Sequence, residues 1–152
     1  MAIEKYVSKI KEINFPVDKV YKRLSDLRNL ELLIKSDKLN GIKDKIPGKP
    51  EIDIENFKAT EDECSFEIKS FGSAGLIIVE KDSNKTVKLK GSKSLPFDFL
   101  CWLQFIPTGD KSCRIRITLH AELNPMIKML VNKHLEEGIN LIADALNRIN
   151  YD

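Results

Sequence analysis

From Asn124 to Ile149 the chain carries one continuous amphipathic pattern, and it encodes no other element long enough to cover a sheet. Ile127, Leu130, Val131, His134, Leu135 and Gly138 recur at three- and four-residue spacing, and Ile139, Ile142, Ala145, Leu146 and Ile149 extend the stripe. Lys128, Lys133, Glu136, Glu137, Asp144 and Arg148 fill the opposite side. Asn124 is placed to cap this helix, and Pro125 takes the first helical position, where its missing N–H costs nothing. The pattern predicts about seven turns, roughly 38 Å. A helix with one apolar face of that length needs a partner surface to match.

The middle of the chain supplies such a surface. Cys113, Ile115, Ile117, Leu119, Ala121 and Leu123 share one face of a strand, while Arg114, Arg116, Thr118, His120 and Glu122 share the other. A partner strand over 97–107, joined around Thr108-Gly109-Asp110-Lys111, turns Phe97, Phe99, Cys101, Leu103 and Phe105 inward. Directly opposed residues in a hairpin lie on the same face, so paired numbers here sum to an even value. Trp102 then falls opposite Arg116 or Thr118, within reach of an arginine on its indole.

Upstream, shorter period-two runs begin at Ile52, Ile54 and Phe57, continue over Cys64, Phe66 and Ile68, and recur at Leu76 to Lys81 and at Val87 and Leu89. Thr60-Glu61-Asp62, Gly72-Ser73 and Asp82-Ser83-Asn84 separate them as turns, and links this short predict a meander. At the start, residues 4–14 read as a strand. Pro16 then opens a short helix carried by Val17, Val20, Tyr21 and Leu24, and after a bend at Asp26 a second short helix follows on Leu27, Leu30, Leu33 and Ile34. Residues 35–50 have a loop composition and are a candidate lid.

The fold class is therefore α+β: an antiparallel sheet of about seven strands, curved around a long C-terminal helix, with two short helices after the first strand. A chain of 152 residues makes one domain, 1–152, large enough to bury roughly two-thirds of its extended surface. The stretch Ile13-Asn14-Phe15-Pro16-Val17-Asp18-Lys19-Val20-Tyr21, running on to Leu24-Ser25-Asp26, resembles the opening of the START and Bet v 1-like (SRPBCC) superfamily, which includes polyketide cyclase-like bacterial members. The element order agrees over nearly the whole chain. This resemblance implies a helix-grip domain with a cavity between sheet and helix, in a superfamily that binds lipids, hormones, polyketides and other apolar ligands. The motif itself holds no catalytic group, so it informs the fold more than the function.

Charge and cysteine content narrow the partners. Lys and Arg number 25 against 23 Asp and Glu, which gives no reason to expect nucleic acid or another polyanion. No run approaches the roughly 18 apolar residues of a membrane span, and the start lacks a signal-like apolar region, so no integral membrane association and a cytoplasmic location are expected. Cys64, Cys101 and Cys113 form no CxxC pair and read as structural thiols in a reducing compartment. His120 and His134 have no metal-ligand spacing, so no metal and no cofactor are expected.

The expected ligand-binding cavity takes Phe66, Ile68, Leu89, Phe97, Phe99 and Leu103 from the sheet, with Ile117 and Leu119 beside them. Leu130, Val131, His134, Leu135 and Gly138 complete it from the helix. His134 either aims an imidazole at a ligand or is satisfied by a neighbouring carbonyl. Gly138 either leaves space for a ligand or permits close packing, and the phenylalanines either line a void or fill it. On the outer face Leu100, Trp102 and Ile106 are apolar, as for a homodimer or partner interface, whereas the lysines around Leu89 read as solvated surface. No nucleophile has a nearby base, and Gly72-Ser73-Ala74-Gly75 lacks a Walker lysine, so no catalytic residues are assigned. Binding of a small hydrophobic or amphipathic ligand is the leading expectation. The alternatives are a polyketide cyclase or dehydratase moving a proton through His134, Tyr6 or Glu12, and an interaction module using the Trp102 face.

Overall fold

A computed structural model describes residues 2–30, 54–68, 72–92, 97–149 and 151. Its strands are β1 (Ala2–Val7), β2 (Lys11–Ile13), β3 (Ile54–Ala59), β4 (Glu63–Ile68), β5 (Gly72–Asp82), β6 (Thr86–Gly91), β7 (Phe99–Gly109) and β8 (Ser112–Leu123). Helix α1 (Val17–Leu24) and a 3-10 turn (Leu27–Asn29) follow β2, and the long helix α2 (Pro125–Asn147) follows β8. All pairings are antiparallel, in the order β1-β8-β7-β6-β5-β4-β3, with β2 also on β8. This is the α+β helix-grip arrangement, a meander whose first strand returns to pair with its last.

The β7–β8 hairpin keeps the even-sum register over most of its length, with Trp102 opposite Thr118 and Leu103 opposite Ile117. Near the tip the pairing slips by one residue between Pro107 and Gly109, and the turn tightens to Asp110-Lys111. The cation over the indole is Lys88, not an arginine. Lys88 lies directly opposite Trp102 on β6 and places its Nζ 5.5 Å from the ring centroid, while His120 packs edge-on at 4.7 Å. Arg116 sits opposite Gln104 instead and donates its Nε to that side chain at 2.8 Å.

The expected first strand is broken in two. β1 pairs with β8 at odd sums (Tyr6 with Leu119), whereas β2 pairs at even sums (Ile13 with Cys113), so the chain slips one residue between them. That slip buries both Tyr6 and Ile13 and leaves Val7 and Ile10 exposed. Ser8 holds the break to β8: its N–H donates to the Ile117 carbonyl at 2.8 Å and its Oγ accepts the Ile117 N–H at 2.9 Å.

Where the second helix is expected, a 3-10 turn at Leu27–Asn29 leads into a helical Leu30; the remainder of that helix, the candidate lid over 35–50 and the strand start at Ile52 lie outside the described residues. Asp26 accepts the Arg28 N–H at 3.0 Å and pairs with the Arg28 guanidinium at 2.6 Å, and these bonds hold its carboxyl below the usual range. The Leu27 N–H donates to the Glu61 carbonyl, tying the turn to the β3–β4 hairpin.

β5 begins earlier than its sequence suggests, because Gly72-Ser73, expected as a turn, is already strand, with Gly72 at φ +100. Gly75 is required there for another reason. A Cβ at this position would stand 2.8 Å from the Cys64 carbonyl oxygen, a backbone atom that cannot swing aside. Gly75→Ala is therefore expected to destabilise the domain by about 1–3 kcal/mol, read as a lowered urea midpoint.

Helix α2 starts as its cap predicts, with the Asn124 side chain accepting the Ile127 N–H at 2.8 Å. Its polar side is not simply solvated. Lys128 pairs with Glu4 at 3.0 Å, Asn132 accepts from the Tyr6 hydroxyl at 2.6 Å, Asn140 accepts the Lys9 N–H at 2.8 Å, and Asp144 pairs with Lys11 at 2.8 Å. These helix residues fall at multiples of four, so one polar stripe runs along the edge formed by β1 and β2. Ile139, Ala143 and Leu146 are buried beside it with Ile13, Ile115 and Leu123.

Candidate ligand-binding cavity

Helix α2 packs on β8, β1 and β2, so the inner faces of β5, β6 and β7 face a void instead of the helix. The cavity has a volume of about 540 Å³, within the range of small-molecule sites. Leu76, Leu89, Phe99, Cys101 and Leu103 form its sheet wall, with Phe97 just before β7 and with Ile117 and Leu119 on β8. Leu135, Gly138, Ile139, Ile142 and Leu146 line it from α2, and Ile149 closes that side. Arg23, Leu24, Asp26, Leu27, Asn29 and Leu30 form the third side, at α1 and the 3-10 turn.

Of the residues expected from sequence, Leu89, Phe97, Phe99, Leu103, Ile117, Leu119, His134, Leu135 and Gly138 stand in this lining. Phe66 does not: it stacks on Phe57 at 6.1 Å between centroids, on the flank formed by β3 and β4. Leu130 is also outside the lining and 69% exposed, because no described residue packs over that face in the first turns of α2. Val131 packs against the core without reaching the lining, and the Ile68 side chain lies outside the described residues. His134, expected on a buried stripe, is exposed at the rim. Cys101 and Leu76 were legible as strand residues but not as cavity wall. The α1 and turn residues carried no local signal at all, since only the tertiary fold brings them to the void.

The lining is apolar apart from a few groups. Asp26 is occupied by Arg28, and the Asn29 amide donates to the Arg23 carbonyl at 3.0 Å. The groups a proton-moving enzyme would draw on do not converge. Tyr6 spends its hydroxyl on Asn132, and Glu12 stands opposite Arg114 in the β2–β8 pair; neither lines the void, which leaves His134. Among the described residues no cluster of three His, Cys, Asp or Glu is arranged to hold a metal ion, and no helix is long and apolar enough to cross a membrane. On the outer face Leu100 and Trp102 are half-buried and Ile106 is exposed, with exposed Ile3 and Val7 on β1.

Cys101 lines the cavity, and burial pushes its thiol up to about 12. Relative to an ordinary thiol near 9.0, its thiolate is about a thousandfold scarcer at neutral pH. Alkylation of Cys101 by iodoacetamide is therefore expected to be slower than that of a free thiol by about that factor. Its rate should still climb about tenfold per pH unit above pH 9, where a free thiol has levelled off. Peptide mapping by mass spectrometry follows this site separately from Cys64 and Cys113. The same shift makes folding stability fall as pH rises from about 9 towards 12, because there the unfolded chain has released a proton that the folded one retains.

No protein-family model matches the sequence, and no curated protein matches it significantly. Solved structures match its fold. Norcoclaurine synthase from Thalictrum flavum, in complex with dopamine and hydroxybenzaldehyde, is 14% identical over 97% of this chain and 86% of that one, with a TM-score of 0.63. A structure from Thermus thermophilus is 16% identical, covering 95% of this chain and 94% of the other, with a TM-score of 0.59. A START superfamily protein from Mycobacterium smegmatis is 15% identical with the same coverages and a TM-score of 0.53. At these identities the likeness is one of fold.

Proposed function

We propose, from the premise that this chain has the helix-grip fold of Bet v 1-like and START proteins, that it binds a small hydrophobic or amphipathic ligand between the sheet and α2. The observation that carries this reading is the 540 Å³ void with its almost wholly apolar wall. Removing about 300 Å² of apolar ligand surface from water contributes roughly 7 kcal/mol, from which the loss of ligand freedom must be subtracted. A ligand that fills most of the void is thus favoured over a small fragment. Polar groups at the edge supply orientation rather than affinity.

The direct test has two parts. Organic extraction of protein purified from its native host, followed by mass spectrometry, should yield one class of apolar compound in near-stoichiometric amount. Nile red, a neutral dye, should then bind the stripped protein with blue-shifted emission and be displaced by that compound. Failure of the stripped protein to take up Nile red or any other neutral apolar probe would overturn the reading.

A cyclase or dehydratase working in the same cavity is the second reading. Its support is the fold shared with norcoclaurine synthase and the position of His134 on the rim. It rests on that imidazole alone, because Tyr6 and Glu12 lie elsewhere. Full turnover by His134→Ala would remove it.

A further inference from the structure

We propose that the ligand carries a single carboxylate and that Arg23 receives it, an assignment that rests on the cavity being the ligand site. Arg23 lies in the last turn of α1, half-buried, and lines the void. It stands towards the C-terminal end of α2, within electrostatic reach of buried Tyr151. The other full charge in the lining is neutralised within the protein, since Asp26 is held in a bidentate pair by Arg28. Tyr151 offers no anion, because its hydroxyl donates to the Leu146 carbonyl at 2.7 Å.

The Arg23 guanidinium makes no hydrogen bond and no ion pair among the described residues; only its backbone carbonyl is engaged, by Asn29. A permanent cation partly withdrawn from water beside an apolar enclosure lacks its counter-charge. The planar fork of a guanidinium matches the two oxygens of a carboxylate, and charge-assisted bonds of this kind are about twice as strong as neutral ones. Helix α1 does not need this cation to complement its dipole, since exposed Lys22 occupies the same last turn. His134 and Leu146 line the void at points roughly 18 Å apart along α2, so the two ends of a bound molecule are distinguishable. The carboxylate lies at Arg23, and the apolar body extends towards His134.

Displacement of Nile red by dodecanoate and by dodecanol, both below their aggregation limits, tests the assignment. Wild-type protein should bind dodecanoate about 10- to 100-fold more tightly than dodecanol. Arg23→Leu should abolish that preference, read as the ratio of the two affinities within each variant, while Arg23→Lys keeps part of it; thermal melts verify that each variant is folded, with Arg23→Gln as the substitute for a leucine variant that is not. Equal binding of the two probes by wild type would overturn the carboxylate and leave the cavity reading standing. Loss of the preference in His134→Gln but not in Arg23→Leu would overturn the placement at Arg23. Absence of Nile red and dodecanol binding altogether would instead overturn the binding function itself.

Discussion

Gly138→Phe is expected to leave the domain folded and to weaken uptake of an apolar ligand by roughly 10- to 100-fold. Gly138 sits in the middle of α2 and lines the cavity, and a Cβ built on it meets nothing within 4 Å. A glycine in a helix interior is destabilising by about 0.5–1 kcal/mol relative to alanine, so nothing in the fold's own energetics favours it here. Gly138→Ala should accordingly raise stability by that amount. The phenylalanine ring would occupy the volume a ligand needs, and its contact with the lining offsets the rotamer freedom it loses. Had the glycine been present to let sheet and helix pack closely, both variants would be destabilised by about 1–3 kcal/mol. Thermal denaturation and Nile red titration of the two variants therefore separate these opposite readings of one residue.

Local periodicity accounts for what was legible before the structure. The alternation from Cys113 to Leu123 and the Asn124-Pro125 helix start are properties of adjacent residues, and both stand where the sequence places them. The break at Ser8 was not legible, because a one-residue slip preserves composition and changes only the parity on either side. The stripe of Lys128, Asn132, Asn140 and Asp144 was equally hidden. Polar residues four apart look the same whether they meet water or an edge strand, and only pairing with Glu4, Tyr6, Lys9 and Lys11 tells the two apart. That stripe marks the side on which α2 packs, against β1, β2 and β8, and the wall of Phe99, Cys101 and Leu103 is left uncovered. Arg23 belongs to the same category: its spacing reads as the solvent side of a short helix, and its place in the lining follows from how α1 docks.

Ile115→Ala should cost about 3–5 kcal/mol of stability, whereas Leu103→Ala, on the same inner surface, should cost only about 1–2 kcal/mol. The positions are close, since Leu103 pairs with Ile117 and Phe105 with Ile115 on neighbouring strands. Their surroundings differ. Ile115 is 0% exposed and enclosed on every side, so truncation opens a new hole and forfeits all its dispersion contacts. Leu103 already borders the void, so part of its surface has no partner to lose and the hole merely enlarges. Urea denaturation with an unchanged m-value measures both. Saturation with a ligand should then raise the cost of Leu103→Ala and leave that of Ile115→Ala nearly constant, because only the wild-type cavity wall gains the full stabilisation of the bound state. Equal losses at the two sites, insensitive to any apolar additive, would mean an interior packed throughout, with no room for the ligand on which the binding function depends.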